Sequence, residues 1–148
     1  MLIVTIVQFL LVVSVVYYIV VNMVDLVKVP SVTGPLYSSP FISICVPARN
    51  EERNIGACLK SLLAQVYPHF EVIAIDDNST DATGSIISAL AVDNPCLTAI
   101  QGAPLPEGWL GKPYALYQAS QKARGEYILF TDADPVFSPN ALSSAMYT

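Results

Sequence analysis

Asp132 and Asp134 stand one residue apart at the end of an apolar run, Tyr127-Ile128-Leu129-Phe130-Thr131. In an extended strand, side chains at i and i+2 point to the same face, so the two carboxylates are expected to project together from the strand's carboxyl end. Two like charges held that close repel, and a divalent cation bridging them to the anionic oxygens of a ligand makes the pair favourable. The spacing outlines a metal-and-phosphate site. Asp-x-Asp followed by Pro135 also reads as a polar turn that stops a strand, so the pair has to be weighed with the rest of the chain.

Three other polar clusters follow apolar runs. The first is Pro47-Ala48-Arg49-Asn50-Glu51-Glu52-Arg53-Asn54. Proline stops a strand, Asn50 or Asn54 can cap a following helix, and Glu51 and Glu52 suit its positive end; the same loop could equally contact a nucleotide. The second is Asp76-Asp77-Asn78-Ser79-Thr80-Asp81. Two carboxylates at the open end of a parallel strand can accept hydrogen bonds from a nucleoside or help hold a metal, while Ser79, Thr80 or Asp81 caps the next helix. Asn78-Ser79-Thr80 also fits a glycosylation sequon, which local turn chemistry explains better. The third runs from Gly102 to Pro113 and holds the only tryptophan, Trp109, beside Gly111-Lys112. Lys112, opening a helix whose N-terminus favours anions, is placed to meet a phosphate; an ordinary loop with a packed tryptophan is the other reading. Neither G-x-G-x-x-G nor G-x-x-x-x-G-K-[ST] is present. The lone His69, beside Pro68, reads as an exposed turn residue.

These clusters need a scaffold, and hydrophobic periodicity supplies one. Strands are expected at 41–46, 70–75, 97–101 and 126–131, with helices at 54–65, 81–92 and 112–122 between them. Strand alternating with helix at this spacing means right-handed crossovers and a mostly parallel, Rossmann-like sheet. Ligands of such sheets bind outside the carboxyl ends of the strands, where all four clusters fall.

The chain has 148 residues, 53% of them hydrophobic, and a mean hydropathy of +0.52, too apolar for an ordinary soluble domain. The excess sits in front: residues 1–24 carry no charged side chain. A helix from Leu2 to Val24 would reach about 34 Å, against a bilayer core of ~30 Å. No basic n-region or small-residue cleavage site accompanies it, so a retained transmembrane anchor over 1–28 is expected rather than a signal peptide. Residues 29–40, rich in Pro, Gly and Ser, read as a linker, and 41–148 as the folded domain. Lys28, Arg49, Arg53 and Lys60 follow the helix and weakly favour a cytoplasmic body. A net charge of −5 without a basic cluster argues against nucleic-acid binding. Cys45, Cys58 and Cys96 lack metal-ligand spacing and read as buried free thiols.

Taken together, these segments resemble the family 2 glycosyltransferases of the GT-A fold. The resemblance rests on Val46-Pro47-Ala48-Arg49-Asn50-Glu51-Glu52, Ser61-Leu62-Leu63-Ala64-Gln65 with Tyr67-Pro68, Glu71-Val72-Ile73, Asp76-Asp77-Asn78-Ser79-Thr80-Asp81, Gly111-Lys112 and Phe130-Thr131-Asp132-Ala133-Asp134. It covers residues 41–140. Leu105-Pro106-Glu107-Gly108-Trp109-Leu110-Gly111-Lys112 behind an anchor looks more narrowly like the membrane-bound branch associated with hopanoid and carotenoid glycosylation.

The resemblance implies a nucleotide-sugar donor site. Pro47, Ala48 and Glu51 would line the nucleoside pocket, Asp76 or Asp77 would contact base or ribose, and Lys112 would lie near the diphosphate. Asp132 and Asp134 would hold Mg²⁺ or Mn²⁺ against that diphosphate. The implied activity is metal-dependent sugar transfer (EC 2.4) to a lipid or polysaccharide acceptor at a membrane. The chain departs from the family after the D-x-D pair: the acceptor-binding half, the acidic residue that deprotonates the acceptor and the Q-x-x-R-W segment are not in these 148 residues, and no residue is assignable as general base. A fragment of a longer or split enzyme, completed by a downstream polypeptide, is therefore expected. A non-catalytic, membrane-anchored donor-binding module is the alternative. A hydrolase using its D-x-D aspartate as nucleophile fits poorly, because that motif belongs on a first strand and here follows the fourth.

Overall fold

The computed structural model describes residues 2–24 and 39–146, without the side chains at 2–4 and 22–24. Helix α1 spans Leu2–Val24, and its described side chains, from residue 5 to residue 21, are all exposed. Among the described residues no helix is long and apolar enough to cross a membrane, so the expected anchor is not carried by the structure itself. The expected linker lies outside the described residues as far as position 38. The chain divides into two compact units, Met1–Pro30 and Ser31–Thr148.

The second unit alternates as its periodicity predicts: β1 (Ile42–Ala48), α2 (Ile55–Leu63), β2 (Phe70–Asp76), α3 (Thr83–Asp93), β3 (Leu97–Gln101), α4 (Gly111–Ser120), β4 (Tyr127–Phe130) and α5 (Ala141–Ala145). All strand pairs are parallel, in the order β3-β2-β1-β4. β1 is buried at every position and β2 at all but its first. Such runs suit strands covered on both faces. On one face Ile42, Ile44, Val46, Val72 and Ala74 pack against Ile55, Cys58, Leu59 and Leu62 of α2 and Ile87 of α3. On the other, Cys45, Ile73 and Ile75 pack against Ala115 and Ala119 of α4.

Two polar side chains inside this core are satisfied by one clip. Ser43 Oγ donates to Glu71 Oε1 at 2.7 Å. Glu71 also accepts from the Arg124 backbone N–H and from its guanidinium at 2.9 and 2.6 Å. The clip fixes the chain where it enters β4. Gly125 follows, and a Cβ there would sit 2.5 Å from the Ser43 backbone nitrogen and 2.8 Å from the Phe41 carbonyl oxygen. Only glycine permits that approach.

β4 lies within one residue of its expected bounds at each end. It stops at Phe130, and Asp132 and Asp134 follow in the loop beyond it, which bends at Ala133 and Asp134. It is also exposed throughout: Leu129, its most covered residue, is still 37% accessible and Tyr127 is 56%. The reason is topological, since β4 is an edge strand whose strand partner is β1 alone.

Candidate functional site

Strand order reverses between β1 and β4, because β1 connects outward through β2 to β3 while β4 returns to its other side. At such a switch point the loops leaving adjacent strands diverge and a crevice opens at the carboxyl ends. Proline widens it. Pairing of β1 with β4 ends at Cys45↔Phe130, two residues before Pro47, so the missing proline N–H forfeits no β1–β4 bond. A crevice of about 250 Å³ results, lined by Pro47, Ala48, Arg49, Glu51, Asp77, Lys112 and the run Asp132 to Asp134.

Strand parity decides which acidic residues reach it. Ala74 faces α2 and α3, whereas Ile75 faces α4. Asp76 and Asp77 continue that alternation. Asp77 turns to the α4 side, its Oδ2 3.9 Å from Arg49 Nη1 and only 3.1 Å from where a Cβ on Gly111 would stand. Gly111 lets the start of α4 close on that carboxylate.

Asp76 turns the other way, into a separate cleft of about 260 Å³ with Gly84, Ile87, Ser88, Ile100 and Gln101. Its Oδ1 accepts the Ser79 backbone N–H at 3.0 Å, and a Cβ on Gly84 would press within 2.6 Å of its Oδ2. Of the two aspartates, Asp77 alone lines the crevice with the other expected residues; Asp76 organises the turn behind it.

The β1 and β2 loops are clasped together. Asn50, in the left-handed region at φ 57°, accepts from the Thr80 backbone N–H at 2.9 Å, and its own N–H donates to Ser79 Oγ at 3.0 Å. Asparagine tolerates that conformation better than most residues. Glu51 N–H donates to Thr83 Oγ1 at 2.8 Å, which fixes the Glu51 backbone at the crevice floor. Neither Asn50 nor Asn54 caps α2 through its side chain: Asn54 Nδ2 donates instead to Glu51 Oε2 at 2.9 Å. Asp81 does serve α3, accepting from the Thr83 N–H and hydroxyl at 3.0 and 2.6 Å. The Thr83 hydroxyl bond leads the interactions that hold the Asp81 carboxyl below the usual range.

The opposite wall is built differently. Ala133 is buried in the core, which turns Asp132 and Asp134 outward on either side of it. Beneath them Cys58 Sγ donates to the Asp132 carbonyl oxygen at 3.6 Å. Burial, with Asp134 adding to it, pushes the Cys58 thiol up to about 11, so it is inert as a nucleophile near neutrality. Cys45 is raised to about 11 by burial and then by Glu71. Cys96 is only half-buried. Lys112, from the first turn of α4, pairs with Asp132 Oδ1.

The crevice thus brings together Pro47, Ala48, Glu51, Asp77, Lys112, Asp132 and Asp134 and leaves out Asp76. It adds Arg49, which by sequence bears on membrane orientation and not on the site. Its signal was available: a long cation directly behind a buried strand end. Among the described residues no group of three or more His, Cys, Asp and Glu could hold a metal ion alone. Asp132 and Asp134 offer hard oxygen ligands of the type that suit Mg²⁺ or Mn²⁺, which keep water or phosphate oxygens in their other positions. The pair fits such an ion as a partial cradle that a phosphorylated ligand would complete.

Residues 43–147 match the model of glycosyl transferase family 2. The chain belongs to this family. The beta-monoglucosyldiacylglycerol synthase of Nostoc sp. is 41% identical over 99 residues, covering 66% of this chain and 21% of the relative. The 4,4'-diaponeurosporenoate glycosyltransferase of Staphylococcus aureus is 36% identical over 97 residues, covering 65% and 24%. The mannosyltransferase PcManGT of Pyrobaculum calidifontis, solved with GDP-Man and Mn²⁺, superposes with a TM-score of 0.67 at 29% identity, over 88% of this chain and 38% of that one. The four-stranded parallel sheet fits the nucleotide-binding half of the GT-A fold. The chain spans between a fifth and a quarter of the length of these curated relatives.

Proposed function

We propose that this chain supplies the nucleotide-sugar and metal site of a glycosyltransferase whose acceptor is a lipid or polysaccharide at a membrane. The observation that carries the reading is the convergence of Asp77, Lys112, Asp132 and Asp134 on one crevice at the β1/β4 switch point. In this reading the base and ribose lie against Pro47, Ala48 and Glu51, with Asp77 accepting their hydrogen bonds. Arg49 and Lys112 are the cations nearest the diphosphate. Asp132 and Asp134 would hold Mg²⁺ or Mn²⁺, which would supply a Lewis acid for the departing nucleoside diphosphate. Asp76 keeps the β2 turn in shape and touches no donor. None of these residues is assigned to deprotonate the acceptor.

The membrane proposal rests on the uncharged sequence of residues 1–24, not on the helix itself, and on a relative whose name specifies a diacylglycerol product. The proposed arrangement is a single anchor with the body on the cytoplasmic side, where nucleotide sugars are made.

Titration of the full chain in detergent with UDP and GDP, with and without Mn²⁺, tests the reading. Nucleotide binding is expected to require Mn²⁺, and Asp132→Asn to weaken it about 100-fold. Binding indifferent to Mn²⁺ and to that substitution would remove the metal role. Assaying sugar transfer from UDP- and GDP-sugars separates an enzyme part from a binding module.

A further inference from the structure

We infer that Lys112 is a placeholder for the metal: in the ligand-free site its ammonium occupies the Asp132 carboxylate, and it moves to the diphosphate only when metal and nucleotide arrive together. The inference rests on the donor-site reading above and adds a coupling device to it.

Three observations support it. Lys112 Nζ is paired with Asp132 Oδ1, an oxygen that the metal would need. Both side chains are more than half exposed, 57% and 60%, and pairs at that exposure are weak enough to be exchanged. Asp134 is then the one carboxylate of the D-x-D pair without Lys112 on it, and among the described residues no third carboxylate, His or Cys completes a metal group. A cation arriving alone finds half a cradle with an ammonium on the other half.

The charge balance of the crevice makes the exchange selective. Arg49 and Lys112 face four carboxylates, those of Glu51, Asp77, Asp132 and Asp134, which leaves an excess of two negative charges by residue type. A nucleoside diphosphate alone meets that excess and is repelled. A divalent ion alone must displace Lys112. Together, the ion compensates the carboxylates while the diphosphate gives Lys112 a second anionic partner. Each ligand thereby raises the affinity for the other, and linkage makes the two factors equal.

Lys112→Met in the full chain, with Mn²⁺ alone as the probe and free Mn²⁺ read by electron paramagnetic resonance, tests this directly. Binding of Mn²⁺ alone is expected to tighten about fivefold, the gain from removing one exposed ion pair. UDP binding at saturating Mn²⁺ is expected to weaken about tenfold, because a charge-assisted bond to phosphate is lost. The opposite signs are the signature. Arg49→Met removes an equal charge from the same crevice without touching Asp132, and should change Mn²⁺ binding less than twofold.

If Lys112→Met leaves Mn²⁺ affinity unchanged, or improves it no more than Arg49→Met does, the placeholder role is refuted while the donor site stands. If the wild-type chain binds no UDP with Mn²⁺, or binds it equally with Asp132→Asn, the donor-site reading fails and takes the placeholder with it.

Discussion

The two walls of the crevice are made to different standards. The wall carried by β1 and β2 stands on strands buried to the last residue and is cross-tied by Asn50, Ser79, Thr80 and Thr83. The wall carried by β4 stands on a four-residue edge strand with every side chain exposed, and is held by Gly125 at its entry, Ala133 in the core and Cys58 beneath Asp132. The difference matches the two tasks proposed. A nucleoside is a rigid shape that a preformed pocket recognises with little ordering cost. A metal bridging to a diphosphate needs carboxylates that can exchange partners, as the Lys112–Asp132 pair allows.

If that contrast is real, the β4 wall should be the first to open. Gly125→Ala forces a Cβ against the backbone of Phe41, Ser43 and Tyr127, an overpacking that costs about 2–3 kcal/mol. Amide exchange at Tyr127–Phe130 should then accelerate by about thirtyfold or more, while exchange at Ile44–Val46 changes little. Equal acceleration in both strands would show that β4 is as firmly built as the centre.

A smaller effect sharpens the comparison from the other side. Burial pushes the Glu71 carboxyl up, but the bonds from the Arg124 side chain, Ser43 and the Arg124 backbone outweigh it and hold the group below the usual glutamate range. A carboxyl depressed on folding contributes stability that is complete above its unfolded value and is lost as pH falls through its folded one. Denaturant midpoints should therefore fall on acidification from just above the ordinary glutamate range downward. Glu71→Gln, by removing that titration, should make the acid limb shallower. An unchanged acid limb would mean that Glu71 does not tie β4's entry to the centre.

Much of this was legible in the residues. β3 falls at the residues its periodicity marks, and β1, β2, α2 and α3 lie within two residues of their expected ends, because apolar runs and amphipathic spacing respond to the packing that makes these elements. The rim location followed from a general rule about parallel sheets. The exposure of β4 along its whole length depends on its place in the sheet, since an apolar run reports that a strand wants cover and not whether a neighbour provides it. Choosing Asp77 over Asp76 required the register of β2 against its two helical layers, which side-chain parity encodes but composition does not. The residues alone do not place Arg49 at the crevice, because its approach depends on Asp77 being the aspartate that turns inward.

The central claim is that loops from β1, β2 and β4 form one donor site with the metal on Asp132 and Asp134. Locating Mn²⁺ by anomalous scattering in crystals grown with UDP tests it most directly. The ion should lie between those two carboxylates and the diphosphate, with the nucleoside against Pro47 and Asp77. Mn²⁺ in the cleft beside Asp76, or a nucleotide bound away from Asp132, would contradict it.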